Sequence, residues 1–184
     1  MPRIDDAALH EAALAHLARF SATEAGLRRV LVNRIRRWAR EAGQAGRDAE
    51  EIAAEAARAT EAASRIARRL VEAGAVDDAA FAASRARRLR GSGRSGRATL
   101  AHLLQKGIAP PLAAAALEGE EVPDEMHACL VACRRRRIGP FAATSPDPDT
   151  RRKWLATLAR AGFGGEVARR ALAMSRDEAV ERLE

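Results

Sequence analysis

Aromatic residues are scarce in this sequence: they make up 3% of its 184 residues, and tyrosine is absent. RNA-binding solenoids stack unpaired bases on exposed aromatic rings, so this shortage disfavours that class. Lysine is also nearly absent, and apart from Lys106 and Lys153 all of the positive charge is carried by arginine. The planar guanidinium suits paired hydrogen bonds to phosphate or carboxylate groups. No apolar run approaches the ~18 residues that a membrane-spanning helix needs, so we expect no membrane partner.

Recognisable catalytic motifs are missing too. The sequence has no phosphate-binding Gly-Lys loop, no cluster of metal ligands and no nucleophile motif. Asp77 and Asp78 are adjacent carboxylates without a histidine or third carboxylate in sequence reach, and a role in capping the helix that follows explains them. We expect no enzyme, no cofactor and no metal. Carboxylates that converge only through folding are the remaining route to catalysis.

Cysteine occurs twice, at Cys129 and Cys133, which lie one turn apart on a predicted helix. Adjacent turns of one helix rarely have the geometry of a disulfide, and His127 points to another face, which leaves the pair without a third metal ligand. We therefore expect buried core thiols. Because no secretory signal precedes them, we expect the protein in the cytoplasm.

Alanine, by contrast, supplies about a quarter of the chain and has the highest helix propensity. Apolar residues recur at helical spacing from end to end, and no segment reads as a strand. We predict an all-α protein of about nine helices with no sheet, and a tail after residue 174 that extends or frays. The first predicted helix covers residues 7–19, and the second runs from a cap at Ser21 or Thr23 to residue 40. The other seven cover residues 48–71, 79–90, 96–106, 110–117, 124–137, 150–161 and 166–174.

Positive charge is concentrated in the centre of the chain. Of the net charge of +7, residues 61–118 carry +5, whereas residues 1–60 and 119–184 carry +1 each. We expect three helical repeats with these boundaries: a first repeat with an extended helix or linker, a central basic repeat and a C-terminal repeat. A basic centre predicts an anionic partner.

Two segments repeat with a constant offset of 55 residues. RATLAHLLQKGIAPPLAAAAL at 97–117 aligns with RKWLATLARAGFGGEVARRAL at 152–172, which places Gly107 on Gly162. A weaker copy, GLRRVLVNRI at 26–35, keeps the apolar positions but lacks the glycine. A helix that ends in glycine and a hydrophobic residue predicts a left-handed turn that folds the apolar side chain back on the helix. Three such units predict a tandem array of small helical modules.

One segment resembles a known family. GAVDDAAFAASRARRLRGSGRSGRATLAHLLQKGI, residues 74–108, is similar to the RecX pattern G-x-h-D-D-x-x-F-A, where h is hydrophobic, followed by a basic glycine-containing turn and L-x-x-K-G-I. RRKWLATLARAGFGGEVARRAL, residues 151–172, resembles the C-terminal RecX pattern L-x-x-L-x-R-x-G-F. The resemblance covers about residues 7–174, and RecX proteins modulate the RecA recombinase.

The resemblance implies three tandem three-helix units in an elongated, curved all-α protein that lies in the groove of the RecA–DNA filament. There it would oppose filament growth and so lower ATP hydrolysis and strand exchange in DNA repair. We expect a monomer whose partners are the RecA filament and, without sequence preference, single- or double-stranded DNA. The candidate contact residues for RecA or DNA are Arg85, Arg87, Arg88, Arg90, Arg94, Arg97, Lys106, Arg134, Arg135, Arg151, Arg152 and Lys153.

Two other interpretations stay open. The arginines can form an ordinary solvated face without a partner. The helix, glycine turn and helix at residues 97–117 also have the dimensions of a helix-turn-helix, which makes a DNA-binding helical transcriptional regulator the alternative function. Its second helix, PPLAAAALE, offers alanine, leucine and glutamate where base readers need arginine, asparagine or glutamine.

Overall fold

A computed structural model describes residues 4–184. Over that range the chain forms ten α-helices, one 3-10 turn at Gly139–Phe141 and no strand, which confirms the all-α prediction. Their order is consistent with three successive groups of three helices followed by a tenth. The helices are α1 (Asp6–Leu17), α2 (Glu24–Gln44), α3 (Ala49–Glu72), α4 (Asp78–Gly91), α5 (Gly96–Gln105), α6 (Pro110–Ala115), α7 (Glu125–Arg136), α8 (Pro148–Arg160), α9 (Gly165–Ala173) and α10 (Arg176–Glu181).

The tenth helix is the main difference from the nine that the sequence predicts. Ser175 begins α10 with a capping box, in which its hydroxyl accepts a hydrogen bond from the Glu178 N–H and its own N–H donates to the Glu178 carboxylate. This reciprocal pairing satisfies two backbone donors at the helix start. The helix also buries Ala179. The residues after 174 therefore fold rather than fray.

The described residues divide into two compact units. Unit 1 contains residues 4–81 together with Lys106–Ile108, and unit 2 contains Ala82–Gln105 and Ala109–Glu184. Helix α3 runs without a break through residue 60, where the sequence analysis ends the first repeat. The division into repeats at residues 60 and 118 stays a prediction.

In unit 1 the core lies between α1, α2 and α3. Leu27, Leu31, Ile35 and Trp38 form one buried stripe on α2. The facing side of α3 buries alanines around Ile66. Because alanine side chains are short, the two helices pack with few large anchors, and each buried leucine or isoleucine carries about 1.5–3 kcal/mol of the apolar burial.

In unit 2 the core is built around α7. Its residues from Met126 to Cys133 are buried except for His127, and they pack with Leu158, Phe163 and Leu172 from α8, α9 and the turn between them. Cys129 and Cys133 are free and buried, as predicted. Trp154 is half-buried against this core. Helix α7 is thus the central element of unit 2, and only its two ends reach the surface.

A set of hydrogen bonds in unit 1 joins the start of α2 to a turn far along the chain. The Thr23 hydroxyl accepts from the Gly26 N–H (2.9 Å) and donates to the carbonyl of Lys106 (2.8 Å). The Asp78 carboxylate accepts from the Glu24 N–H (2.9 Å). Two of the first N–H groups of α2, which have no partner within the helix, are satisfied in this way. We call this arrangement the first polar joint.

Unit 2 contains the same arrangement with other residues. The Ser95 hydroxyl accepts from the Ala98 N–H (3.2 Å) and donates to the carbonyl of Ala161 (2.7 Å). The Glu125 carboxylate accepts from the Gly96 N–H (3.0 Å). We call this arrangement the second polar joint. A hydroxyl at a helix start, an acidic residue from a later helix and a turn carbonyl therefore recur together.

The repeated glycines close both joints. Gly107 has φ +89° and lies so close to Ala25 that a side chain on it would collide with that methyl group. Gly162 has φ +92°, and a Cβ there would lie 2.6 Å from the Ser95 hydroxyl. The left-handed conformation of both turns confirms the prediction from the repeat. The close approach adds a second reason why only glycine fits.

The two adjacent aspartates have separate roles. The Asp77 carboxylate accepts from the Ala80 N–H (2.9 Å) and so caps α4, as predicted. The Asp78 carboxylate turns away from its own helix and caps α2 in the first polar joint. Asp78 lies in the first turn of α4, where a carboxylate complements the helix dipole as predicted, and its additional role as a cap of α2 is not indicated by the sequence.

Candidate partner-binding surface

The central candidate arginines lie on α4, in the turn after it and in the first turn of α5. Ala82 and Ala86 are buried, and on the other side of α4 the side chains of Arg87 and Arg88 are exposed. Four of the candidates are exposed, and Arg85 is half-buried. We call the set the central basic surface: Arg85, Arg87, Arg88, Arg94 and Arg97.

Arg90 is not part of this surface. It is only 4% exposed, and its guanidinium donates to the carbonyls of Pro123 (3.0 Å) and Arg94 (3.3 Å) and pairs with the Glu125 carboxylate. Its assignment as a partner contact was wrong. Burial of an arginine is tolerable only when its donors are met, and here three acceptors meet them. Because Glu125 also accepts from the Gly96 N–H, Arg90 supports the second polar joint.

The remaining arginines of α4 differ in their partners. Arg87 pairs with Glu121, and both side chains are at least half exposed. An exposed pair of this kind contributes about 0–1 kcal/mol, so Arg87 can exchange Glu121 for another anion at little cost. Over residues 4–184, no carboxylate pairs with Arg88. Both guanidiniums are therefore available to a partner.

The candidates outside the central basic surface, apart from Arg90, lie in three places. Lys106 is half-buried in unit 1, where its backbone carbonyl belongs to the first polar joint. Arg134 and Arg135 end α7, and all four arginines of that run are exposed, with Arg137 in the left-handed conformation. The third place is the first half of α8, which carries the exposed candidates Arg151, Arg152 and Lys153.

The turn after α4 is held against the end of α7. Gly93 has φ +84°, and a Cβ there would lie 2.8 Å from the backbone nitrogen of Ala132. The Arg135 guanidinium donates to the carbonyl of Ser92 (2.7 Å). The loop backbone touches α7, and side chains from three separate segments of the sequence line one surface groove. Its basic members are Arg94, Arg135, Arg136 and Arg160, and we call it the arginine groove.

Arg160 is not among the candidates predicted from the sequence, and Arg136 belongs to the run of four arginines of which only Arg134 and Arg135 are among them. Arg160 is the arginine of the L-x-x-L-x-R-x-G-F pattern, two residues before Gly162, so the pattern itself carried the signal. The direction in which the Arg136 side chain points depends on where α7 ends, and the sequence of the run does not indicate that residue. The structure brings the predicted Arg94 and Arg135 together with these two.

The part of the chain that the structure describes holds no group of three or more histidine, cysteine or acidic side chains placed to bind a metal ion. The hydrogen bond that the Cys129 thiol donates to Cys133, together with burial, raises the pKa of Cys129 and keeps that thiol protonated. None of the helices within residues 4–184 is long and apolar enough to cross a membrane.

Comparisons with known proteins find one family. The family model described as RecX, second three-helix domain, matches residues 77–117. The chain is 35% identical over 167 residues to the regulatory protein RecX of Myxococcus xanthus, an alignment that covers 89% of this chain and 83% of that protein. It is 33% identical over 107 residues to the regulatory protein RecX of Agrobacterium fabrum, covering 58% and 56%. The chain therefore belongs to the RecX family of regulatory proteins.

Proposed function

We propose that this protein binds the filament that RecA recombinase forms on DNA and restrains its extension, which lowers ATP hydrolysis and strand exchange. Membership of a family of regulatory proteins is the observation that carries this proposal. The protein would act as a monomer and without a catalytic residue of its own. Regulation would follow from binding alone, because a protein seated on a filament blocks the addition of subunits and holds neighbouring ones in place.

Charge supports the choice of partner surface. Four of the five arginines of the central basic surface are exposed to solvent, and no acidic residue lies between Asp78 and Glu118 in the sequence. A filament offers such groups the carboxylates of its protein subunits and the phosphates of its DNA. A single contact of about 1 kcal/mol is weak. Once one contact on the chain has formed, however, the others form within the same complex at a high effective concentration, so that their contributions to the affinity add.

Base-specific DNA reading is the weaker candidate. Helix α6, which would have to be the recognition helix, is Pro110–Ala115 and contains only proline, leucine and alanine. None of these side chains can form the hydrogen bonds that distinguish base pairs in the major groove. Any contact with DNA would therefore be to the phosphate backbone and independent of sequence.

Charge reversal tests the central basic surface. The double variant Arg88→Glu/Arg94→Glu changes the net charge by four at two exposed positions. Affinity for RecA filaments on single-stranded DNA, measured by fluorescence anisotropy at fixed salt, should fall about tenfold or more, because attraction becomes repulsion at the contact.

The matched control is Arg169→Glu/Arg170→Glu, which makes the same change in net charge at two exposed positions of α9. The affinity of this control variant for the RecA filament should fall only slightly, because it loses only the non-specific electrostatic attraction due to net charge. If both double variants weaken binding equally, the contact does not lie on the central basic surface. Far-UV circular dichroism checks that the helix content of both variants is unchanged.

A further inference from the structure

The arginine groove has an unusual charge balance. Its basic members are Arg94, Arg135, Arg136 and Arg160, and its other lining residues are leucine, serine, glycine and alanine, with no carboxylate among them. Within residues 4–184 none of the four guanidiniums pairs with an acidic side chain, although arginines elsewhere in unit 2 do, at Arg87, Arg90, Arg152 and Arg182. Four like charges around one concavity repel one another unless an anion joins them.

Complementing helix ends does not account for all four. Arg135, Arg136 and Arg160 lie in the last turns of α7 and α8, where the helix dipole favours a positive charge. Arg94, however, precedes the start of α5, the end at which the dipole disfavours a cation. The helix ends therefore explain three of the four positive charges in the groove. The fourth, Arg94, comes from a third segment of the chain.

Several groove residues are held in place. The loop backbone at Gly93 abuts α7, and Arg135 is fixed by its hydrogen bond to the Ser92 carbonyl. The Arg160 guanidinium donates to the Thr157 hydroxyl one turn back (3.2 Å). Arg94 and Arg136 carry no such tether. Side chains that are already positioned lose less conformational entropy when a ligand arrives.

We propose that the arginine groove binds a phosphate group. A carboxylate has two oxygens and is satisfied by one guanidinium in a paired contact. A phosphate presents oxygens in several directions and accepts from several guanidiniums at once, which matches donors that converge from the loop, α7 and α8. The source of the phosphate is either the backbone of a nucleic acid strand or a free phosphate. This goes beyond the proposed function, because it needs no RecA.

The test measures binding of a fluorescent oligothymidylate to the purified full chain without RecA, across a series of chloride concentrations. The variant Arg136→Gln/Arg160→Gln removes two groove charges that do not belong to the central basic surface. If both contact phosphate, the slope of log affinity against log salt should decrease by about 1.4, since each single-strand contact contributes about 0.7. Affinity in 0.1 M salt should then fall about 10- to 30-fold.

The control is Arg169→Gln/Arg170→Gln, with the same change in net charge, and its slope should stay near that of the wild type. Inorganic phosphate and chloride are then compared as competitors of the bound oligothymidylate at equal ionic strength. If phosphate displaces more oligothymidylate than chloride does, the site binds free phosphate. If the two ions displace equal amounts, the site binds the phosphates of the strand. Arg160→Lys keeps the charge without the planar fork and should bind at an intermediate level. Equal slopes for the groove and control variants, or tighter binding of a polyglutamate peptide than of the oligonucleotide, would overturn the proposal. Since these assays omit RecA, their failure leaves the proposed function untouched.

Discussion

Replacing Gly162 by alanine tests the second polar joint at its tightest point. With φ at +92°, an alanine there costs about 1–2 kcal/mol in backbone conformation. The new methyl group would also lie 2.6 Å from the Ser95 hydroxyl and push it off its two hydrogen bonds, to the Ala161 carbonyl and from the Ala98 N–H. Each of these bonds contributes about 1 kcal/mol.

These losses are partly offset, because alanine has less conformational entropy than glycine in the unfolded chain. This difference stabilises the folded state by about 0.4–1 kcal/mol. The net loss should be about 2–3 kcal/mol. In a chain of this length, 1 kcal/mol shifts Tm by about 2–4 °C, so the Gly162→Ala variant should melt about 5–10 °C lower by circular dichroism. Stability should fall without loss of helix content at low temperature.

Gly91→Ala is the matched control within unit 2. Gly91 ends α4 in an ordinary conformation, and nothing lies within 4 Å of a Cβ built on it. This variant should be neutral or slightly more stable. The double variant Ser95→Ala/Gly162→Ala should lose less than the sum of its single changes, because without the hydroxyl the collision disappears. If Gly162→Ala loses no more than the backbone cost of the left-handed turn, the joint carries no stability, and if it melts like Gly91→Ala, the account of both the turn and the joint is refuted.

Two further predictions concern charges in unit 2. Arg90→Met should lower the free energy of unfolding by about 3–5 kcal/mol in urea titrations, because Glu125 would lose the guanidinium that pairs with it. The control Arg88→Met, on the exposed side of the same helix, should stay within about 0.5 kcal/mol of the wild type. Similar losses in the two variants would contradict the buried pairing. Partial burial raises the pKa of Asp124, but a backbone N–H at the start of α7 and the Arg182 guanidinium outweigh it and hold that pKa below its usual value. Its contribution to stability is then present at neutral pH and lost as the pH falls through the folded-state pKa, so between pH 6 and pH 3 the wild type should lose more stability than Asp124→Asn, and equal losses would refute this role.

Helices and glycine turns could be predicted from the sequence because their causes are local. Apolar spacing placed nine of the ten helices, and the glycine followed by a hydrophobic residue gave the left-handed conformation at Gly107 and Gly162. The polar joints could not be found in this way. Their partners, such as Thr23 and Lys106, are separated by 83 residues, and no local pattern records which carbonyl a hydroxyl will meet.

The candidate site shows the same division. Arg88 and Arg94 are exposed as expected, because the apolar residues of their segment fix which side faces the core. Arg90 looks no different from its neighbours in sequence. Its burial depends on the carbonyl of Pro123 and the carboxylate of Glu125, which reach it only after the chain has folded. Arginine composition alone therefore identifies a basic region but not which of its members face a partner.

The central claim is that this chain regulates RecA, and the ATPase activity of RecA on single-stranded DNA tests it most directly. The chain is added at increasing ratios, well below one molecule per RecA subunit, while filaments assemble. If each bound molecule stops the extension of a whole filament, ATP hydrolysis should fall steeply at substoichiometric amounts, and the Arg88→Glu/Arg94→Glu variant should need far more protein for the same effect. Unchanged ATP hydrolysis at an excess of the wild-type chain would contradict the proposed function.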